Sequence, residues 1–260
     1  MWTGIDYLGE TSWPRRGSDA GVIDLAGFPK DGYYFYQSQW TKEPMLHLLP
    51  HWSWEGREGE VIPVIIYSNC EEVELFLNGK SYGVKKLEFP RPGNSGNWDR
   101  YDTPPINGTT ADLHLRWDIP YAPGTLKAVG KKHGEVVCTT SVETAGKPAG
   151  LRLSLDKTSI GANGDDIAHV KVEVVDSRGI LVPEADNEIH FEVQGAGSLV
   201  GVENGNLRDL SAPKSKVKKA FNGLLLGYVQ SSSRKGSIKV KVSSPSLAGS
   251  EATISVVDPK

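Results

Sequence analysis

Val73-Glu74-Leu75-Phe76-Leu77-Asn78-Gly79 reads as a β-strand that runs into a tight turn. Strand side chains alternate between faces, so Val73, Leu75 and Leu77 share one of them, and Asn-Gly supplies the two positive-φ positions of a two-residue hairpin. The same period of two recurs on either side. Val61 to Tyr67 is nearly all apolar, as in a central strand, and Leu113, Leu115, Trp117 and Ile119 alternate with His114, Arg116 and Asp118. Two further strands are predicted at about 125–130 and 135–142. These segments make one antiparallel sandwich over residues 49–146.

The alternation stops at Ala145-Gly146-Lys147-Pro148-Ala149-Gly150, where small and breaking residues mark a linker. It resumes in Leu151-Leu153-Leu155, Val170-Val172-Val174, Ile189-Phe191-Val193, Ile238-Val240-Val242 and Ile254-Val256, which predicts a second, immunoglobulin-like sandwich over residues 150–258. Residues 1–48 differ in texture: they are aromatic and loop-rich. Their helix candidate runs from Phe28 to Trp40, with Pro29 in its first turn and Tyr33, Tyr36 and Trp40 spaced by three and four, while Pro44 and Pro50 forbid a long continuation.

Composition narrows the function classes. Among 260 residues, 29 Gly and 16 Pro argue against a helical bundle, and a hydrophobic fraction of 38% argues against disorder. Lys and Arg total 29 against 32 Asp and Glu, so the net charge of -3 leaves no basic footprint for nucleic acid and no polybasic patch for a membrane surface. No apolar run is long enough to span a bilayer, and the chain shows no targeting signal. Cys70 and Cys138 lie in strand-like runs without metal spacing. They read as two buried thiols, with a disulfide between neighbouring strands left open, which an oxidising compartment would permit.

Trp2-Thr3-Gly4-Ile5-Asp6-Tyr7-Leu8-Gly9-Glu10 does not look like the start of a domain. It resembles the last barrel strand and following loop of glycoside hydrolase family 2 enzymes of the β-galactosidase type. The likeness continues through Gly21-Val22-Ile23-Asp24-Leu25-Ala26-Gly27-Phe28-Pro29-Lys30-Asp31 into the helix that ends at Trp40. Tyr67-Ser68-Asn69-Cys70-Glu71-Glu72 through Lys80 resembles the hairpin of the sandwich that follows the barrel, and residues 150–258 resemble the bacterial immunoglobulin-like (invasin-like) domains appended there.

The resemblance implies a mainly β chain: two immunoglobulin-like antiparallel sandwiches preceded by a residual strand-helix piece of a (β/α)8 barrel, residues 1–48. It implies a parent that performs retaining hydrolysis of terminal β-glycosidic bonds with two barrel glutamates. Both glutamates belong to earlier barrel strands, so this chain is expected to lack them, to be inactive alone, and to depend on the missing barrel for contact with a β-galactoside. It implies no cofactor and no metal. Trp2 falls where the eighth strand delivers a side chain to the catalytic face, and an indole there would stack on a sugar. The parent is expected to be periplasmic or secreted.

Other groups are weighed on their residues. Asp6 and Glu10 read as structural hydrogen-bonding groups. Arg15, Arg16 and Asp24 flank a loop that the resemblance sets at the border of the parent's pocket, and the arginines read as solvated surface. Glu71-Glu72 and Asp165-Asp166 point to opposite faces or to solvent and are no acid/base pair. His47 and His51 have ligand spacing, but Pro50 interrupts the helix such a pair needs. Glu203 to Asp209 reads as a turn, with a weak cation site as the other possibility, and Gly195 to Gly201 lacks dinucleotide spacing. Trp40, Trp52 and Trp54 are expected at a buried interface of helix, linker and sandwich, with the helix docked on the first sandwich and residues 2–10 poorly protected or covered by another molecule. Trp98 lies in a long loop, Pro90 to Asp99, that is the second candidate for sugar contact. The competing readings of the whole chain are a free-standing carbohydrate-binding module and a structural, adhesin-like spacer.

Overall fold

The computed structural model describes residues 3–87 and 113–259; Trp2 and Trp98 lie outside them. The chain is mainly β. Strands β1 (Thr3–Ile5), β2 (Tyr7–Leu8), β3 (Gly17–Ser18) and β4 (Gly21–Ile23) precede helix α1 (Asp31–Trp40). Then come β5 (Leu46–Leu49), β6 (Val61–Ser68), β7 (Glu72–Leu77), β8 (Lys80–Lys85), β9 (Leu115–Pro120), β10 (Thr125–Lys132) and β11 (Glu135–Glu143). The C-terminal strands are β12 (Gly150–Leu155), β13 (Ser159–Gly161), β14 (Ile167–Val175), β15 (Glu188–Gly195), β16 (Gly197–Glu203), β17 (Val217–Lys219), β18 (Leu224–Ser231), β19 (Gly236–Ser244) and β20 (Leu247–Val257).

Contacts divide the chain into two units, residues 31–144 and residues 1–30 together with 145–260. Residues 1–48 are therefore shared between the units. The N-terminal strands belong with the C-terminal sandwich and the helix with the first sandwich.

In the first sandwich, sheet β11-β10-β7-β8 faces sheet β5-β6-β9, all antiparallel. The Asn78-Gly79 turn has φ of 50° and 80°, as a two-residue hairpin requires. Val73, Leu75 and Leu77 are buried from one sheet, and Ile62, Val64, Ile66, Leu115, Trp117 and Ile119 from the other. Although β6 is nearly all apolar, only its even-numbered residues enter this core, and Val61 is 58% exposed. The odd-numbered face is where α1 docks: Phe35 meets Tyr67 edge-on at 5.5 Å, and Tyr34 stacks on His47 at 3.8 Å. His47 Nε2 lies 2.7 Å from Asp31 Oδ1.

The docked face of α1 carries Tyr34, Phe35 and buried Ser38, and this corrects the expected face: Trp40 is 69% exposed and leans on Tyr36. The docked residues lie on the opposite side of the helix from those the spacing picked out. Trp52 is fully buried, donates to the Ala122 carbonyl at 3.0 Å and meets Tyr121 edge-on, while half-buried Trp54 donates to the His51 carbonyl.

The second sandwich pairs β16-β18-β14-β12 with β13-β20-β19-β15-β17, the layers touching through the Gly150 to Ala248 pairing. Its core takes alternate residues of each strand, among them Val170, Val172, Val174, Ile189, Phe191, Ile238, Val240, Val242 and Ile254. Gly195-Ala196-Gly197 is the tight passage from β15 to β16, and Ser198 to Gly201 belong to β16.

Asp176 fastens the linker to this sandwich. Its carboxylate accepts the Gly146 N–H at 2.8 Å and the Arg178 and Ile180 N–H groups at 2.9 Å each. Burial raises its pKa, but these three donors and the Arg178 guanidinium outweigh burial and hold it at about 2. A carboxylate with a depressed folded-state value contributes stability above its ordinary value of 3.8, and loses it as pH falls toward about 2.

Asp176→Ala leaves three N–H groups without their acceptor, a loss of roughly 1–3 kcal/mol, and limited proteolysis at neutral pH should then cut between 145 and 150 faster than in wild type. Wild type should show the same acceleration with an acid-tolerant protease between pH 4 and 2; no change in either arm refutes the clamp. Trp52→Ala should cost the first sandwich roughly 3–5 kcal/mol and leave the second unaffected, as two separated unfolding transitions by calorimetry would show.

Candidate functional site

The described part of the predicted pocket wall is a polar junction between residues 3–30 and the loop after β16. Strand β1 runs parallel to β4 with Thr3 opposite Gly21 and Ile5 opposite Ile23. Gly21 is needed here, since a Cβ would lie 2.2 Å from the Asp6 backbone nitrogen. Asp6 is buried, and its Oδ1 accepts the Gly21 N–H at 2.9 Å and Lys30 Nζ at 2.8 Å. The charge of Asp6 thus closes the strand-loop-strand turn. Strands β2 and β3 carry the loop that holds Glu10, which accepts from the Tyr7 hydroxyl, and Trp13, which is 79% exposed.

Asp24 Oδ1 accepts the Ala26 and Phe28 N–H groups at 2.8 and 2.9 Å. Burial pushes its carboxyl above the ordinary aspartate value against those two donors, and the charges of Asp6 and Glu203 push it the same way. Gly205, at φ 78°, lies so close that a Cβ would be 2.1 Å from Asp24 Oδ2.

Arg16 is not the solvated group its sequence context predicts. Its Nη2 donates to Glu203 Oε1 at 2.6 Å, its N–H to the Leu207 carbonyl at 2.9 Å, and the two side chains keep only 17% and 11% exposure. The same Glu203 oxygen accepts the Asn204 and Gly205 N–H groups. Asn204 donates to Asp209, and Asp209 meets Lys218 Nζ at 3.0 Å inside the sandwich, where the lysine side chain has no exposure. Burial raises the Asp209 pKa, but Ser211 and Lys218 outweigh it and hold the carboxylate at about 2. Residues 203–209 are therefore a turn held by its own side chains. Arg15, paired with Asp19 at 2.7 Å, stays at the surface.

Around this junction lies a cavity of about 530 Å³ lined by Asp6, Arg15, Asp19, Asp24, Lys30, Asn206, Arg208 and Asn222 among others. A second, also about 530 Å³, is lined by Ile5, Leu25, Phe28, Ser154, Asp156, His169, Lys171 and Tyr228 among others. His169 Nδ1 is 2.7 Å from Asp156, but among the described residues no hydrogen bond joins Ser154 to His169, so these three do not form a nucleophile-base-acid relay.

Chemically the junction positions groups. Asp6, Asp24 and Glu203 each commit one oxygen to N–H or cationic donors, as fixed acceptors that hold the chain in place do. Glu71 and Asp166 are structural acceptors as well, of the His133 N–H and of Gly161, Ile167 and Lys157. Among the described residues no cluster of three His, Cys, Asp or Glu side chains is arranged to hold a metal, and no helix is long and apolar enough to cross a membrane. The junction was missed in the sequence because Arg16 and Glu203 are 187 positions apart; no local pattern joins them. Exposed Trp13 was legible only as an indole in a Pro-containing loop.

Residues 151–253 match Glycoside hydrolase family 2 C-terminal domain 5, and residues 59–138 match a Domain of unknown function (DUF4982). The chain is 41% identical over 250 residues to Beta-galactosidase BoGH2A of Bacteroides ovatus, covering 95% of this chain and 27% of that one. It is 40% identical over 232 residues to a Putative beta-glucuronidase of Formosa agariphila, covering 87% and 20%. The crystal structure of a beta-glycosidase from Bacteroides vulgatus superposes with a TM-score of 0.87 at 37% identity, over 98% of this chain and 30% of that chain. The chain thus spans less than a third of the length of each of these proteins. With the strand-helix piece and both sandwiches carried together along such alignments, the chain belongs to glycoside hydrolase family 2, as a C-terminal portion of it.

Proposed function

We propose that this chain serves a retaining β-galactosidase-like glycoside hydrolase, as its accessory sandwiches and one wall of its sugar pocket. The two catalytic glutamates of the parent come from barrel strands outside this chain. What carries the reading is that one alignment with a β-galactosidase takes in 95% of the chain. The Asp6, Asp24 and Arg16 contacts support it, because they hold the loops that follow Trp2 in a single arrangement. Trp2 would stack on the sugar, with Trp98 as a second contact. The relatives named for glucuronides leave the sugar to experiment. We place the parent in the periplasm or outside the cell.

A second reading, carbohydrate binding by the chain itself, draws on the indole of Trp13 at 79% exposure. Titration calorimetry with galacto-oligosaccharides separates the two: heat that disappears in Trp13→Ala favours the second, and no heat favours the first.

The purified 260-residue chain is expected to release no nitrophenol from nitrophenyl β-galactoside or β-glucuronide above background. In the parent, an aromatic sugar contact worth roughly 0.5–1.5 kcal/mol makes Trp2→Ala lower kcat/KM by up to about tenfold without lowering Tm. Turnover by the chain alone, or a Trp2→Ala parent with unchanged kcat/KM, overturns this assignment.

A further inference from the structure

Cys70 and Cys138 stand on opposite sides of a strand that separates them, yet their sulfurs meet. Strand β10 lies between β7 and β11, and Gly130 on β10 is paired with Val73 on one side and Cys138 on the other. Side chains two strands apart in a sheet are normally about 9–10 Å apart. Here Cys70 precedes β7, held by the Ser68 hydroxyl that accepts its N–H at 2.9 Å, and Glu71 donates to the Lys131 carbonyl at 3.0 Å. The chain therefore turns Cys70 inward over β10, and the two sulfurs lie 3.4 Å apart. Gly130 makes this possible: a Cβ at that position would sit 2.6 Å from Cys70 Sγ and 2.9 Å from Cys138 Sγ. Among the described residues, the next atom near that position is Cys70 Cβ at 3.3 Å. The register of β10 and β11 also slips between Gly130 and Lys131, which gives the strand local freedom to let the sulfurs close.

We propose that Cys70 and Cys138 form a site of oxidative modification: an intramolecular disulfide over Gly130, made by exchange with a low-molecular-weight disulfide. In the exchange one protein thiolate attacks the external disulfide, which releases one small thiol and leaves a mixed disulfide; the second protein thiolate attacks that bond and releases the other small thiol. Two S–H bonds and one S–S bond of the reactants become one S–S bond and two S–H bonds, so the protein dithiol is oxidised and the external disulfide reduced. Cys138 is the accessible entry point, since it is half-buried where Cys70 is buried. Burial, with Cys70 adding to it, pushes the Cys138 thiol up to about 12, so exchange is slow near neutrality and quickens about tenfold per unit of rising pH. The bond would close residues 70–138 into one loop and fasten β11 to the entrance of β7. This proposal is independent of the glycosidase reading.

The test uses the full chain incubated with oxidised glutathione at pH 8.5, compared with the dithiothreitol-reduced chain. The expected result is an intact mass lower by two hydrogens, a proteolytic peptide pair linking Cys70 to Cys138, and a Tm higher by roughly 10 °C for the first sandwich, all reversed by dithiothreitol. Cys138→Ala and Cys70→Ala, each a small change at a folded site, should both abolish the mass loss and the Tm shift. A stable glutathione adduct without cross-link, a disulfide between two chains, or two thiols still titrating after prolonged oxidation would each overturn the proposal.

Discussion

The position of residues 3–30 depends on the ion pair of Arg16 with Glu203. A pair of two-stranded ladders encloses no core of its own, so the segment is stable only where another body holds it. Arg16 supplies the hold twice, through its guanidinium to Glu203 and through its N–H to the Leu207 carbonyl. A buried pair is poor evidence of net stabilisation, because desolvation offsets much of the Coulomb attraction. Its effect is specificity. With either partner absent, a charge is left buried and unmatched, and removal of one partner of such a pair costs roughly 3–5 kcal/mol. Glu203 also closes its own loop, so the contact and the loop form together.

From that loop a polar chain continues into the C-terminal sandwich: Asn204 to Asp209, and Asp209 to the fully covered Lys218. Every ionised group along it has a partner of opposite charge or a backbone donor, as a low-dielectric interior demands. The same economy explains the chemistry of the cavity wall. Carboxylates that act as fixed acceptors hold loops in place, as one oxygen each of Asp6, Asp24 and Glu203 does. The Asp6, Asp24 and Glu203 arrangement therefore fits a supporting wall.

The first sandwich solves a different problem. Its β6 is apolar on both faces because each is covered, the even-numbered residues by the opposite sheet and part of the odd-numbered face by α1. Stacking of Tyr34 on His47 and the edge-on contact of Phe35 with Tyr67 let one helix cover a sheet without a long aliphatic stripe. The absence of a side chain at Gly130 in the neighbouring sheet brings two thiols together, an outcome of packing geometry in which neither cysteine's own neighbours in the chain give any sign.

Many strand positions, the Asn78-Gly79 hairpin, the burial of Val73, Leu75 and Leu77, the two sandwiches and the family resemblance were legible from the chain alone, whereas β2 to β5, β13 and β16 to β18 were not. Alternation of period two and turn chemistry are local properties, and the core follows from them once a sheet forms. The role of Asp6 as a structural acceptor was legible for the same reason, since its partners lie within 24 positions. Tertiary structure alone decided that Arg16 is buried on Glu203, that α1 turns Tyr34, Phe35 and Ser38 inward while Trp40 faces water, and that the sulfurs of Cys70 and Cys138 touch. The physical reason is common to all three. Each depends on which surfaces meet across long stretches of chain, and a spacing rule records only what neighbours along the chain do to one another.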